Sequence, residues 1–243
     1  MFPIGDDNSD RTTTPYVNYL LIALNVIVFV FLQGMSGDNS FTYSFATVPG
    51  EILSGRDIVT GAKVLTNPYT GDHFTMPGLG PTPVSVYLTL ITSMFMHGGW
   101  AHIAGNMLYL WIFGDNIENA MGHKRYLIFY LLCGIIASLS HVFASKFLGQ
   151  NLLIPSLGAS GAISGVLGGY ILLYPGRRVT MFVFRFITHV SAFWAIGIWI
   201  VFQIINGLGM LGGSEAGGVA YAAHIGGFVA GLVLIKFFIP RRI

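Results

Sequence analysis

Apolar stretches, joined by polar connections, make up most of this chain. Tyr16 to Gln33 is the first stretch and is long enough to cross a bilayer as a helix. Further stretches run over about 101–115, 125–145, 160–174, 179–206 and 219–239, the last closed by Pro240-Arg241-Arg242. This pattern predicts an all-α polytopic membrane protein, a six-helix bundle over residues 16–243. Residues 1–15 are polar, with Asp6, Asp7, Asp10 and Arg11, and read as a disordered cytoplasmic tail. Gly34 to about Pro83 is a long connection of Gly, Pro and polar residues, with short apolar pieces such as Val84 to Met96 nearby. A structured connection of that length is usually functional.

Composition supports the same class. Hydrophobic residues make up 53% of the 243 and charged residues only 9%, against about 25% in soluble domains. A formal charge of +2 gives no ground for nucleic-acid binding. The single Cys133 excludes an internal disulfide and a CxxC metal site. With the N-terminus placed inside, Lys124/Arg125, Arg177/Arg178 and Lys236/Arg241/Arg242 also fall inside, while Arg56, Lys63 and Lys146 fall outside. That asymmetry predicts N-in, C-in. The acidic start resembles neither a secretory signal nor an Arg-rich transit peptide, so a bacterial inner membrane is the default expectation.

The fourth stretch is the shortest. About 15 residues reach only about 22 Å, against about 30 Å of hydrocarbon, so its start must lie below one membrane surface. Ser160 stands at that start, after Pro155 and Gly158, among small residues. Helix N-termini present unpaired N–H groups and the positive end of the dipole, which suits a nucleophilic serine. Gly161, Gly165 and Gly169 also form a small-residue face of the kind that packs membrane helices, and taken alone this stretch favours packing. The soluble GxSxG elbow is absent, because position 162 is Ala.

Polar side chains inside spans are costly and invite a functional reading. His224, early in the last stretch, lies at a depth similar to Ser160, with Gly227 and Gly231 providing a close-approach face. It is a candidate general base, or else a histidine bonded to nearby backbone. His102 and Asn106, spaced i, i+4, share one helix face and are donors suited to an oxyanion. His97 is off that face and reads as a loop brace. Asp115 and Glu118 lie about 20 Å down the helix from His102, toward the opposite surface. The reading is therefore a Ser–His dyad with no carboxylate. HExxH and comparable ligand spacings are absent, so neither metal nor cofactor is expected.

Together these segments resemble the rhomboid intramembrane serine proteases. His97 to Asn106 is similar to their HxxxxHxxxN signature, and Gly114 to Gly122 to GxxxExxxG through Glu118. Gly158-Ala159-Ser160-Gly161 is similar to GxSG, and Ala223 to Gly231 to AHxxGxxxG. The resemblance implies Ser160 as nucleophile and His224 as base. It also implies an oxyanion site of His102, Asn106 and the Ser160 N–H, with His97 organising loop and water. The substrate would be a transmembrane segment of another protein in the bilayer, admitted beside the fifth helix. Two departures stand out. The family often has an aromatic residue four positions after the nucleophile, where this chain has Ser164; Tyr221 or Tyr170 are the candidates to replace it. The family's Trp-Arg pair is not evident around Arg56. The competing function is a catalytically inactive rhomboid-like chaperone or adaptor that binds transmembrane helices. A transporter is disfavoured because charged mid-span residues and inverted repeats are absent.

Overall fold

The structure is a computed structural model that describes residues 2–66, 73–211 and 221–240. It is mostly helical. Helix α1 covers Tyr16–Ile27 and continues as a π-helical turn over Val28–Leu32. Short helices α2 (Ser40–Phe45) and α3 (Pro49–Ser54) lie in the long connection and α4 (Thr89–Thr92) follows it, with a hairpin of β2 (Lys63–Thr66) and β3 (His73–Met76) between α3 and α4. Then follow α5 (Trp100–Met121), α6 (His123–Phe147) and α7 (Ser160–Leu173). The last helices are α8 (Ala192–Leu211) and α9 (Tyr221–Phe238). By length and composition α6 and α9 can each cross a membrane; Tyr16–Leu32, Ser160–Leu173 and Ala192–Leu208 are shorter apolar helices.

Helix α7 is the axis of the bundle. Gly161 through Tyr170 are all buried, whereas α1, α6 and α8 leave large apolar side chains exposed on their outer faces. The core gathers around it: Phe113 and Ile117 from α5, Tyr130 and Cys133 from α6, Val166 and Leu167 from α7, Phe228 from α9.

Two expectations need correction. The stretch 179–206 is not one helix. Arg178–Val183 (β4) and Phe186–Ser191 (β5) form an antiparallel hairpin, and α8 begins only at Ala192. The cause is local: Val179, Thr180, Val183, Ile187, Thr188 and Val190 are β-branched, and Val179 and Met181 alternate inward toward the core. Helix α8 in turn continues past residue 206, the end expected for the fifth stretch; residues 212–220, with Val219, and the cations Arg241 and Arg242 lie outside the described residues.

The second correction concerns residues 1–15, which are not a loose tail. Phe2–Asp6 (β1) adds a third antiparallel strand beside β4. Arg11 donates to Asp115 at 2.7 Å, Arg177 binds Asp10 and Asn116, and the Asn119 side chain accepts from the backbone of Thr12 and Thr13. Asp6, Asp10 and Arg11, which read as disorder, bond partners more than 100 residues away. Asp115 and Glu118 are consequently buried beneath this segment. Glu118 accepts from the N–H groups of Val17 and Asn18 at 3.0 and 2.7 Å, so a carboxylate caps the start of α1.

Asp6 sits at the centre of this network. Its carboxylate accepts from Tyr170 at 2.5 Å and from Asn116 at 2.8 Å. Burial pushes its carboxyl up from 3.8 to about 7, with the Asp115 and Asp7 charges adding to the rise and Tyr170 and Arg177 opposing it. The folded state therefore holds the Asp6 proton to higher pH than the unfolded state. Its contribution to docking is complete below about pH 4 and is lost as pH rises through about 7. Amide exchange in β1, corrected for intrinsic rate, should show protection falling between about pH 5 and about pH 8. Asp6→Asn should flatten that dependence. Protection that grows with pH would contradict the assignment.

Candidate active site

Ser160 is the first residue of α7. The loop before it is held by the long first connection. Thr47 and Ser156 exchange backbone bonds of 2.9 and 2.8 Å, and the Gly158 N–H donates to the Ser93 carbonyl at 2.9 Å. Gly158 has φ +121°, and a Cβ there would stand 2.8 Å from Cε1 and Nε2 of His102. Only glycine meets both conditions. The first N–H groups of α7, that of Ser160 included, have no acceptor within the helix, and the positive end of its dipole lies at Ser160.

Helix α9 brings the histidine. It packs backbone to backbone on α7: a Cβ on Gly227 would lie 2.1 Å from the Gly161 carbonyl oxygen, and one on Gly231 would lie 2.0 Å from that of Gly165. This approach places His224 Nε2 2.8 Å from Ser160 Oγ. Nδ1 of the same ring is 2.8 Å from Gln203 Oε1 on α8. An amide oxygen only accepts, so Nδ1 carries the proton and Nε2 offers its lone pair to the serine hydroxyl. Trp199, one turn before Gln203, lies beside the imidazole with ring centroids 6.0 Å apart.

His102 and Asn106 come from the start of α5. The Gly98 N–H donates to His102 Nδ1 at 3.2 Å, which leaves the proton of the neutral ring on Nε2, the nitrogen that faces Gly158 beside Ser160. Asn106 is buried, and its Nδ2 has no hydrogen-bond partner among the described residues. His97 is fully buried and stands edge-on to His102 at 5.2 Å. Its backbone is clamped by Gln33, which accepts from the His97 N–H at 2.8 Å and donates to its carbonyl at 2.9 Å. A small cavity beside Ser160 is lined by Ser93, Ser138, Ser156, Gly158, Gly161 and Ala223.

Ser160, His224, His102, Asn106, His97, Gly158, Gly161 and Gly227 thus converge at one end of the bundle. Glu118 does not; it braces α1 at the other end. Neither candidate for the missing aromatic lies against His224. Tyr170 donates to Asp6 at the far end of α7, and the ring beside His224 is Trp199. Ser164 is turned away, donating to the Ser160 carbonyl at 2.6 Å. Sequence reasoning passes over Gln203, Trp199 and Gln33. The signal for Gln203 is present, since an amide inside an apolar span is as unusual as a histidine, and its i, i+4 spacing from Trp199 puts both on one face. Among the described residues no three His, Cys, Asp or Glu side chains gather as a metal site.

Chemically, the cluster supplies a hydroxyl in contact with an imidazole lone pair, with His102 beside Gly158 and a buried Asn106 Nδ2, unpartnered among the described residues and one turn further along α5, as N–H donors. These are the parts of an acyl-transfer site.

A family model described as Rhomboid domain matches residues 85–241, more than half of the chain. Rhomboid protein 1, mitochondrial, of Saccharomyces cerevisiae is 32% identical over 161 residues, covering 66% of this chain and 44% of the yeast protein. Rhomboid protease GluP of Bacillus subtilis is 30% identical over 217 residues, covering 89% of this chain and 34% of that protein. Presenilin-associated rhomboid-like protein, mitochondrial, of Bos taurus is 30% identical over 196 residues, covering 76% of this chain and 50% of that protein. The chain spans between a third and a half of the length of these relatives.

Proposed function

The chain belongs to the rhomboid family of helical integral membrane proteins, and from that premise we propose that it is an intramembrane serine endopeptidase acting on transmembrane segments of other proteins. The observation that carries this reading is the 2.8 Å contact between Ser160 Oγ and His224 Nε2, with His102 of a separate helix beside Gly158. Ser160 Oγ attacks the peptide carbonyl carbon while its proton passes to His224 Nε2. The Ser160 N–H, His102 Nε2–H and Asn106 Nδ2–H receive the oxyanion. His224 then gives the proton to the leaving amine, and a water activated by the same imidazole hydrolyses the acyl ester. The name of the Bacillus relative, a protease, supports the same reading.

In this reading residues 16–243 form one membrane domain, with α1, α5, α6, α7, α8 and α9 as six crossings. Both termini lie on the side of Arg177, and the site lies toward the other. Mitochondrial names among the relatives remove the ground for a bacterial inner membrane as default, so the placement is an integral membrane protein without a named compartment.

The test is cleavage. Full-length protein in liposomes is incubated with a single-span substrate, and the products are mapped by mass spectrometry. A cut within or beside the span supports the protease reading. Stable capture of the intact substrate with no cut supports the adaptor reading instead.

Asn106→Ala should lower kcat about 10²–10³-fold, as expected for loss of one oxyanion donor, with little change in KM. Single-turnover cleavage checks this; weakened binding at unchanged kcat would remove Asn106 from the oxyanion site.

A further inference from the structure

The geometry points to Gln203 as the residue that orients His224 as a base, a role in the proposed proteolysis that rests on that reading and extends it to α8. A base must present Nε2 to Ser160 without its proton. Neutral imidazole has two tautomers, and the partner at Nδ1 decides which is populated. Gln203 Oε1 is 2.8 Å from Nδ1, and Ser160 Oγ is 2.8 Å from Nε2 on the opposite side of the ring. The side chain of Gln203 is itself buried, with 6% relative exposure, so the contact does not compete with bulk water.

Among the described residues no other side chain bonds Nδ1 of His224. Asp115 and Glu118 are engaged at the other end of the bundle by Arg11, His123 and the start of α1. Ser164 is bonded to the Ser160 carbonyl. Trp199 lies beside the ring and limits its tilt but cannot accept a proton. A neutral amide suits the place better than a carboxylate, because a carboxylate among apolar helices carries a desolvation cost that an amide avoids.

The helix that carries Gln203 is peripheral. Phe193, Trp194, Ile198, Val201, Phe202 and Ile205 are exposed along it, whereas Ile196 and Gln203 face inward. The orientation of the base therefore depends on how α8 is seated. A displacement of α8 by little more than 1 Å lengthens the Nδ1 bond beyond hydrogen-bonding range and frees the ring to take the wrong tautomer.

The test compares Gln203→Met, which keeps length and removes the acceptor, with Gln203→Glu, which keeps an oxygen at the same reach. Two readouts are taken: kcat and KM on the single-span substrate, and the rate at which a small fluorophosphonate labels Ser160. The second readout needs the base and no transmembrane segment. Gln203→Met should lower kcat and labelling together by about 10- to 100-fold at nearly constant KM, the loss expected for one hydrogen bond that sets a tautomer. Gln203→Glu keeps an acceptor for Nδ1 and should retain clearly more of both than Gln203→Met, with the desolvation of its carboxylate limiting the recovery. Wild-type rates in Gln203→Met overturn the proposal, and so does equal loss in both variants, which would mean that Gln203 only fills space. If Gln203→Met does not fold, nitrogen-15 NMR of the unaltered protein decides, with the His224 signals assigned by their loss in His224→Ala. A proton on Nδ1 supports the proposal, and a proton on Nε2 overturns it. Failure of the protease reading looks different: the wild-type protein itself would neither cleave nor be labelled at Ser160.

Discussion

Ser160→Ala is expected to abolish cleavage, a fall of about 10⁵- to 10⁶-fold in kcat, while leaving the protein folded. The hydroxyl is half-buried at a helix start and, among the described side chains, bonds His224 alone, so its removal disturbs little else. His224→Ala should cost as much, and the double variant no more than either single one. Serine without its base keeps its proton, and the base without its serine has nothing to deprotonate, so the second loss adds nothing. Residues acting as one unit give this non-additivity. Cleavage of a single-span substrate by all three variants measures it, with thermal unfolding in detergent as the control for fold. Residual activity near wild type in Ser160→Ala, or losses that multiply in the double variant, would sink the dyad.

The second large effect is structural. Gly227→Val should remove both folded protein and activity. The added Cβ would lie 2.1 Å from the Gly161 carbonyl oxygen, a backbone atom with no rotamer to escape into. Helices α7 and α9 must then move apart. Overpacking usually costs about 1–3 kcal/mol, and a clash with backbone along a whole helix face belongs at or above the top of that range. The same interface sets the distance between Ser160 and His224, so any survivor should label poorly with a fluorophosphonate. Gly105→Ala is the control. Nothing lies within 4 Å of a Cβ at that position in α5, so Ala should be neutral or stabilise by about 0.5–1 kcal/mol through reduced chain entropy. Equal melting temperatures and labelling for Gly227→Val and wild type would refute the close-packed account of the site.

The site residues were legible because small residues mark them. Ser160 and His224 each sit in a run with glycine at every fourth position, and such runs say which faces meet even when the chain between them is unknown. His102 and Asn106 announce themselves by polarity and i, i+4 spacing. Gln203 escapes because the search for a third member looks for a carboxylate, whereas an uncharged amide satisfies Nδ1. The hairpin at 178–191 escapes for a different reason. Its strands carry apolar residues on both faces, so Val179 to Asn206 reads as one unbroken stretch; Arg185 at the turn is the interruption that divides it. The N-terminal segment is the hardest to read. Asp6, Asp10 and Arg11 look like solvated charges in a local window, and their partners Tyr170, Arg177 and Asp115 lie 104 to 167 residues away.

That distance bears on how the protein is made. Strand β1 is synthesised about 170 residues before β4, an interval of roughly 10–35 s at about 5–20 residues per second. Loop entropy is no obstacle, because it grows only with the logarithm of length. Sidedness is a stricter condition. If α1, α5, α6 and α7 each cross the bilayer, an even number of passages returns Arg178–Val183 to the side where Phe2–Asp6 waits. One missed insertion makes that number odd and leaves the two strands on opposite sides, with no path to each other. On that topology the three-stranded sheet closes only on a chain in which α1, α5, α6 and α7 have threaded with correct parity, and its formation would be a late structural check on biogenesis.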